Sequence, residues 1–225
     1  MVRFTSPARA PRRSPGADSL HAGRIILRRL LDENLVLTRE LEELRVLRRM
    51  AHQDPLTGLP NRRMFDQRLA EELSRSSRDT SLRGCVLAVD VNDFKSVNDQ
   101  FGHSAGDHLL KDVAVVVRGG LRDSDICCRT GGDEFMILLP DTDGDGARMV
   151  MARLRVAVIR AGSRQNVPIS ISIGCATWPA DSRIASELVA KADAAMYAEK
   201  RRLRRTARAR RRTPTGKTAR LAIVK

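Results

Sequence analysis

Aromatic side chains and long apolar runs are both scarce in this chain of 225 residues. Phe, Trp and Tyr together make up 3% of the sequence, which argues against a surface that stacks nucleic-acid bases on aromatic rings. No apolar run approaches the roughly 18 residues that span a bilayer. The Arg-, Ser- and Pro-rich N-terminus also lacks the apolar segment of a secretion signal, so we expect a cytoplasmic protein without a transmembrane segment.

Cysteine is limited to Cys85, Cys127, Cys128 and Cys175, and no two of them have the C-x-x-C spacing. No pair of histidines lies nearby in the sequence to complete a zinc site. Because the neighbours of these cysteines are apolar and typical of strands, we expect buried, reduced thiols.

Acidic residues are missing from the C-terminal end, which largely accounts for the net charge of +14. Residues 200–225 carry 12 basic side chains and residues 1–50 carry 11 against 6 acidic ones, whereas residues 51–199 carry 18 basic and 21 acidic side chains. The excess positive charge therefore lies at the ends. Such ends attract nucleic acid or anionic membranes nonspecifically and in a salt-sensitive way, but the acidic middle disfavours a nucleic-acid-binding fold.

The first 51 residues divide into two parts. Residues 1–23 contain three prolines and little hydrophobic patterning, which predicts a disordered tail. Residues 24–51 contain neither Gly nor Pro and predict a helix roughly 40 Å long. Its heptad a and d positions hold Leu27, Leu30, Leu37, Leu41 and Leu44. Asn34 at an a position favours a parallel two-stranded coiled coil, and a single helix that packs on its own domain is the alternative.

Hydrophobic periodicity in residues 52–205 predicts an α+β domain. Helical patterns cover residues 62–78, 106–118, 145–161 and 184–202, and strand patterns cover residues 84–91, 126–129, 135–139 and 169–177. Residues 130–134 (TGGDE) predict a hairpin with glycine at its tip. The order contains βαββαβ, the ferredoxin-like or palm-type core with an antiparallel sheet and helices on one face. Residues 206–225 are expected to be a solvated basic tail.

Carboxylates follow or precede apolar strands at two places that this fold brings together. Asp90 closes the first predicted strand, and Asp133 and Glu134 occupy the hairpin. Carboxylates that lie next to each other raise one another's pKa unless a cation lies between them. Mg²⁺ is bound by one or two carboxylates together with phosphate oxygens, so the pattern favours a nucleotide site. The alternative is that each acid caps its own turn in solvent.

The same residues belong to longer matches with one known family. Residues 129–135 (RTGGDEF) resemble the signature of the GGDEF family, the diguanylate cyclases that join two GTP molecules into cyclic di-GMP. Residues 54–63 (DPLTGLPNRR) resemble the motif that opens the family's domain. Further matches are residues 90–99 (DVNDFKSVND), 101–103 (FGH), 106–107 (GD), 172–174 (SIG) and 192–200. They run from residue 54 to about residue 205 in the family's order.

The resemblance implies a metal and phosphate site. Asp90, Asp133 and Glu134, with the main-chain carbonyl of Val91, would hold Mg²⁺, or Mn²⁺ in its place, against the GTP phosphates. Gly131 and Gly132 would let the phosphates approach the main chain. Glu134 is also the candidate for the group that accepts the hydroxyl proton.

The resemblance also implies a guanine site at Asn98 and Asp107. A carboxylate accepts hydrogen bonds, so it suits the donor edge of guanine and would leave buried polar groups unpaired against adenine. Without the resemblance, Asn98 would be interpreted as a turn residue and Asp107 as an acid at a helix N-terminus.

Lys200 and Arg204 lie at i and i+4 of the last predicted helix, where the family has phosphate-binding cations. Surface charge that leads into a basic tail is the alternative. Leu203 departs from the family, which usually has glycine there; if the backbone is left-handed at this position, leucine costs about 1 to 2 kcal/mol. Thr130 stands at a position that is usually aromatic, and Asn92 at one that is often acidic.

Arg122 and Asp125 form an R-x-x-D segment at the offset where the family carries its product-inhibition site. An arginine fork binds guanine and phosphate, and an aspartate accepts from the guanine ring. A surface ion pair is the alternative. Taken together, the sequence predicts a dimeric diguanylate cyclase with product inhibition, and a non-catalytic cyclic di-GMP receptor that signals through the coiled coil is the alternative function.

Overall fold

The computed structural model describes residues 15–164 and 168–212. The expected tails at residues 1–14 and 213–225 lie outside the described residues. The chain divides into two units, residues 1–49 and residues 50–225.

The described residues of the first unit belong to one long helix, α1, over Pro15–His52. The predicted start at residue 24 is therefore wrong, and part of the expected disordered tail is helical. Proline is tolerated in the first turn of a helix because its ring fixes a helical φ and the N–H that it lacks has no partner there. The heptad leucines that were expected in a coiled coil are all more than half exposed in the single chain.

The second unit contains five helices and four strands among the described residues. They are α2 (Arg62–Arg78), β1 (Gly84–Val91), α3 (Phe94–Phe101), α4 (His103–Gly119), β2 (Ile126–Arg129), β3 (Glu134–Pro140), α5 (Gly144–Arg164), β4 (Ile171–Trp178) and α6 (Ala185–Arg212). Helix α3 was not predicted. Helix α6 extends to Arg212, so residues 206–212 are helical and the tail predicted from residue 206 is corrected there.

The four strands form one sheet in the order β2-β3-β1-β4, and every neighbouring pair is antiparallel. This arrangement confirms the predicted α+β fold. Strands β2 and β3 pair from Ile126 opposite Leu138 to Arg129 opposite Phe135, so residues 130–133 form the hairpin loop.

Helices cover both faces of the sheet. Helices α4 and α5, which belong to βαββαβ, pack with Leu87 and Val89 of β1 on one face, as expected. Helices α2 and α6 pack with Val86 and Ala88 on the other face. The prediction of helices on one face is therefore incomplete, because it left out the two helices that flank the core motif. Since side chains alternate along a strand, Asp90 belongs to the face that α6 covers.

All four cysteines are free thiols, and only Cys175 is partly exposed. Burial raises the pKa of Cys127 to about 12, so this thiol stays protonated at neutral pH. These features agree with the expected reduced thiols. In residues 15–164 and 168–212, no helix combines the length and the apolarity that crossing a membrane requires.

Candidate active site

Three acidic residues meet where β1 ends and β3 begins. Asp90 lies directly opposite Glu134 in the β1–β3 register. The main-chain carbonyl of Asp133 accepts a hydrogen bond of 3.1 Å from the N–H of Val91, which joins the hairpin tip to the end of β1. The structure thus places the three acids together at one end of the sheet.

Asp90 is the most enclosed of these acids, with 5% of its surface exposed. Its Oδ2 accepts a hydrogen bond of 2.5 Å from Lys200 Nζ, whereas its buried Oδ1 has no hydrogen-bond partner among the described residues. Burial raises the pKa of the Asp90 carboxyl, the charge of Asp133 raises it further, and Lys200 and Arg204 offset part of the rise. One carboxylate oxygen of Asp90 is therefore bound to the Lys200 ammonium, and the other is available to coordinate a metal ion.

The acids fit a divalent cation that is completed by other ligands. In the described part of the chain, no three His, Cys, Asp or Glu side chains are grouped so that they would hold a metal by themselves. Mg²⁺ in nucleotide sites needs only one or two carboxylates, because phosphates and waters supply the rest. Asp90 Oδ1 and the neighbouring Asp133 meet that requirement. Glu134 is exposed, and its carboxylate lies so close to Gly131 that a Cβ there would come within 2.9 Å of Oε2.

Helix α3 begins at Phe94, with two residues between it and the end of β1, and the sequence analysis did not predict it. Its N-cap residue, Asp93, has a left-handed φ of 58° and makes no side-chain hydrogen bond to the first turn. Helix N-termini favour anions because their first N–H groups have no partner within the helix. Lys95 is exposed in this first turn. The helical spacing of Phe94, Val97 and Phe101 was the signal that would have predicted α3.

The two predicted guanine ligands come together where α3 meets α4. Asn98 packs against Gly106, where a Cβ would lie 1.9 Å from Asn98 Oδ1. This Oδ1 is buried and has no hydrogen-bond partner among the described residues. Asp107, the next residue of α4, is exposed. The structure thus shows a buried amide oxygen without a partner in the described residues, next to the helical turn that carries the exposed Asp107.

Helix α6 brings the two predicted cations to the acid cluster. Lys200 contacts Asp90 directly, and Arg204 is near enough to lower the pKa of Asp90. Leu203 lies inside the continuous helix, and the only non-glycine residues with positive φ in the described chain are Asp93 and Asp141. The left-handed strain considered for Leu203 is therefore absent.

Arg129, to which the sequence analysis assigns no role, fixes the hairpin tip. Arg129 donates from Nη1 to both carboxylate oxygens of Asp54 at 3.0 Å, and from Nε and Nη2 to the carbonyl of Gly132 at 3.1 and 2.8 Å. Asp54 also accepts from the N–H and hydroxyl of Thr57. Burial alone would raise the pKa of Asp54, but the bonds from Thr57 and Arg129 outweigh it and lower this pKa. Arg129 thus joins the turn at Asp54, which opens the domain, to the hairpin loop at Gly132.

The R-x-x-D segment lies apart from this cluster, in the turn between α4 and β2. Asp125 is 4% exposed, and its Oδ2 accepts a hydrogen bond of 2.9 Å from the main-chain N–H of Arg122, whose side chain is exposed. Its Oδ1 is buried without a hydrogen-bond partner in the described residues. Among the described residues, no ion pair joins the side chains of Arg122 and Asp125.

A strand-end acid pair, a glycine hairpin and two cations from a neighbouring helix lie together at one end of the sheet. A family model described as the diguanylate cyclase GGDEF domain matches residues 51–206. The chain belongs to the GGDEF family.

The chain matches two relatives whose chains are longer. The diguanylate cyclase TpbB of Pseudomonas aeruginosa is 38% identical over 180 residues, which cover 78% of this chain and 39% of TpbB. The diguanylate cyclase DgcP of the same organism is 41% identical over 157 residues, which cover 68% of this chain and 23% of DgcP. The chain therefore spans well under half the length of these relatives.

Two solved structures extend the likeness to the fold. The coiled coil and GGDEF domain of DgcB from Caulobacter crescentus, solved with cyclic di-GMP, matches with a TM-score of 0.68 and 28% identity over 78% of this chain and 94% of that one. The diguanylate cyclase SiaD of P. aeruginosa, solved with its activator SiaC, matches with a TM-score of 0.63 and 34% identity over 83% and 74% of the two chains.

Proposed function

We propose that this chain is a diguanylate cyclase that condenses two GTP into cyclic di-GMP and two pyrophosphates. The observation that carries the proposal is the buried Asp90, with one oxygen on Lys200 and the other unpartnered in the described residues, beside Asp133. Such a carboxylate suits a cation shared with phosphates. The names of TpbB and DgcP support the same activity.

In this proposal each 3′-hydroxyl attacks the α-phosphate of the opposite GTP. Two phosphodiester bonds form, two bonds between the α- and β-phosphates break, and each hydroxyl loses a proton, for which Glu134 is the proposed acceptor. Asp90 and Asp133, with Glu134 and the carbonyl of Val91, would hold Mg²⁺ or Mn²⁺. When bound, the cation neutralises charge and polarises the phosphate.

The remaining residues bind and orient. Asn98 and Asp107 are proposed to bind guanine, while Lys200, Arg204 and the N-terminal turn of α3 bind the phosphates. Gly131 and Gly132 leave room for them at the hairpin tip. Positioning and charge neutralisation carry phosphoryl transfer, since it leaves little covalent chemistry to the protein.

One domain binds one GTP, so the proposed reaction needs two domains. The exposed leucines of α1 support pairing through a parallel coiled coil, which would raise the effective concentration of one half-site at the other. Incubation of the purified chain with GTP and Mg²⁺, with separation of the nucleotides, tests the activity, and light scattering tests the dimer. Cyclic di-GMP bound tightly but never formed would select the receptor function instead.

The guanine assignment is tested by replacing Gly106 with alanine. The added Cβ would lie 1.9 Å from Asn98 Oδ1, so the amide must turn away from its position. We expect GTP to bind about tenfold more weakly, which is the effect of one lost hydrogen bond. Because the ring of Phe94 also lies 3.0 Å from the added Cβ, some loss of stability is expected, and the titration is run well below the unfolding temperature of the variant. Equilibrium titration with GTP measures the effect.

Gly119, at the other end of α4, provides the matched control because a Cβ there meets nothing within 4 Å. Gly119→Ala should bind GTP like the unmodified chain. An equal GTP affinity in Gly106→Ala and Gly119→Ala would refute the role of Asn98.

The product-inhibition assignment is tested by Arg122→Ala. We expect the concentration of cyclic di-GMP that halves the rate to rise about tenfold or more, because charge-assisted hydrogen bonds to the product are lost. Turnover without added product should be retained, since Arg122 lies outside the acid cluster. The exposed Arg160 of α5 serves as the control, and Arg160→Ala should be inhibited normally. Unchanged inhibition in Arg122→Ala contradicts the assignment.

A further inference from the structure

The open edge of the sheet at β4 carries a contact between three elements. Ile173 of β4 donates its N–H to Glu199 Oε2 at 2.6 Å. Arg155 Nη2 lies 2.9 and 3.0 Å from the two oxygens of Glu199 and 3.5 Å from the carbonyl of Ile173. An edge strand presents unpaired N–H and C=O groups, and here two charged side chains satisfy those of Ile173.

This contact joins the two helical layers around the edge of the sheet. Arg155 belongs to α5, which covers one face, and Glu199 belongs to α6, which covers the other. The side chain of Glu199 is 15% exposed and that of Arg155 is 31% exposed. A partly buried carboxylate that accepts a main-chain N–H and a guanidinium has a fixed position, because charge-assisted bonds are short and directional.

Glu199 directly precedes Lys200, whose ammonium lies 2.5 Å from Asp90 Oδ2. Successive residues of a helix point about 100° apart, so the direction of Lys200 is set once Glu199 is fixed on β4. A lysine stem is long and flexible, and the rotation of its helix decides which partners it reaches.

We propose that Arg155 and Glu199 are positioning residues, which fix the rotation of α6 and thereby hold the Lys200 ammonium on Asp90. If the proposed function holds, the pair has a second effect, because it also holds Lys200 in place to bind the phosphates of GTP. Neither residue touches the substrate in this proposal.

The first test needs no nucleotide. The rate at which an acylating reagent modifies Lys200 is measured by mass spectrometry, with the exposed Lys111 as an internal reference. In Glu199→Ala we expect the Lys200 rate to rise about tenfold toward that of Lys111, because the ammonium leaves Asp90. Arg155→Met should have the same effect, and Arg155→Lys, which keeps a cation, should partly restore protection.

Glu187 offers a matched control on the same helix, where its carboxylate accepts a hydrogen bond from Ser182. Glu187→Ala should leave the Lys200 rate unchanged. Unaltered Lys200 labelling in a folded Glu199→Ala protein overturns the positioning proposal. An equal rise of the Lys200 labelling rate in Glu199→Ala and Glu187→Ala also overturns the proposal, because both substitutions would then simply loosen α6.

The second test is a double-mutant cycle with GTP as substrate. Glu199→Ala should raise KM about tenfold in the presence of Lys200 and leave it nearly unchanged in a Lys200→Met background. A purely structural role predicts the same factor in both backgrounds and contradicts the proposal. If the unmodified chain makes no cyclic di-GMP while labelling responds as expected, the proposed function fails and the positioning role stands.

Discussion

Asp133→Asn is expected to lower the turnover of GTP to cyclic di-GMP by about 10²- to 10³-fold, the usual effect of removing one group that stabilises charge in a transition state. Asparagine keeps the main-chain carbonyl that accepts from the N–H of Val91, so the hairpin stays joined to β1. It removes the negative charge beside Asp90 and with it one proposed ligand of the cation. Steady-state rates at saturating Mg²⁺ measure the effect.

The matched control lies at the opposite end of the same strand. Asp141 follows β3, has a φ of 48° and pairs with Arg75 through a surface ion pair. Asparagine tolerates this left-handed backbone, and surface pairs contribute at most about 1 kcal/mol. Asp141→Asn should therefore retain full turnover and nearly the same unfolding temperature. Wild-type turnover in Asp133→Asn would remove the acid pair from the mechanism.

Local patterns were sufficient to predict where the acid pair lies. The apolar run before Asp90 predicts a buried strand, and two β-prone runs around Gly131 and Gly132 predict a hairpin. The fold class then places both at one end of the sheet. The ends of the elements were less predictable, because residues such as Leu203 and Arg204 continue a helix as readily as they form a tail.

Contacts between distant segments were beyond the reach of sequence patterns. The Lys200–Asp90 contact joins residues 110 apart in the chain, and the Arg129–Asp54 contact joins residues 75 apart. A single sequence contains many lysines and arginines, and nothing local distinguishes the one that folds against an acid. The family resemblance supplied Lys200, whereas neither it nor local pattern indicated Glu199.

Gly174→Ala is expected to have the largest effect on stability among the substitutions considered. A Cβ at this position would lie 2.1 Å from both the carbonyl oxygen of Ala192 and the main-chain nitrogen of Met196. Both atoms belong to the backbone of α6, so no side chain can rotate to make room. Overpacking of this kind costs about 3 kcal/mol, which for a domain of this size corresponds to roughly 10 °C in unfolding temperature.

The same substitution tests whether the packing of α6 supports the site. Since α6 must move away from β4, Lys200 moves away from Asp90, and turnover should fall even at temperatures where Gly174→Ala remains folded. Gly119→Ala is the control, because its Cβ enters open space and should stabilise α4 slightly, by about 0.5 kcal/mol. Urea unfolding and turnover are measured on both variants. If Gly174→Ala is as stable and as active as Gly119→Ala, then the close approach of α6 to β4 determines neither the stability of the domain nor the position of Lys200.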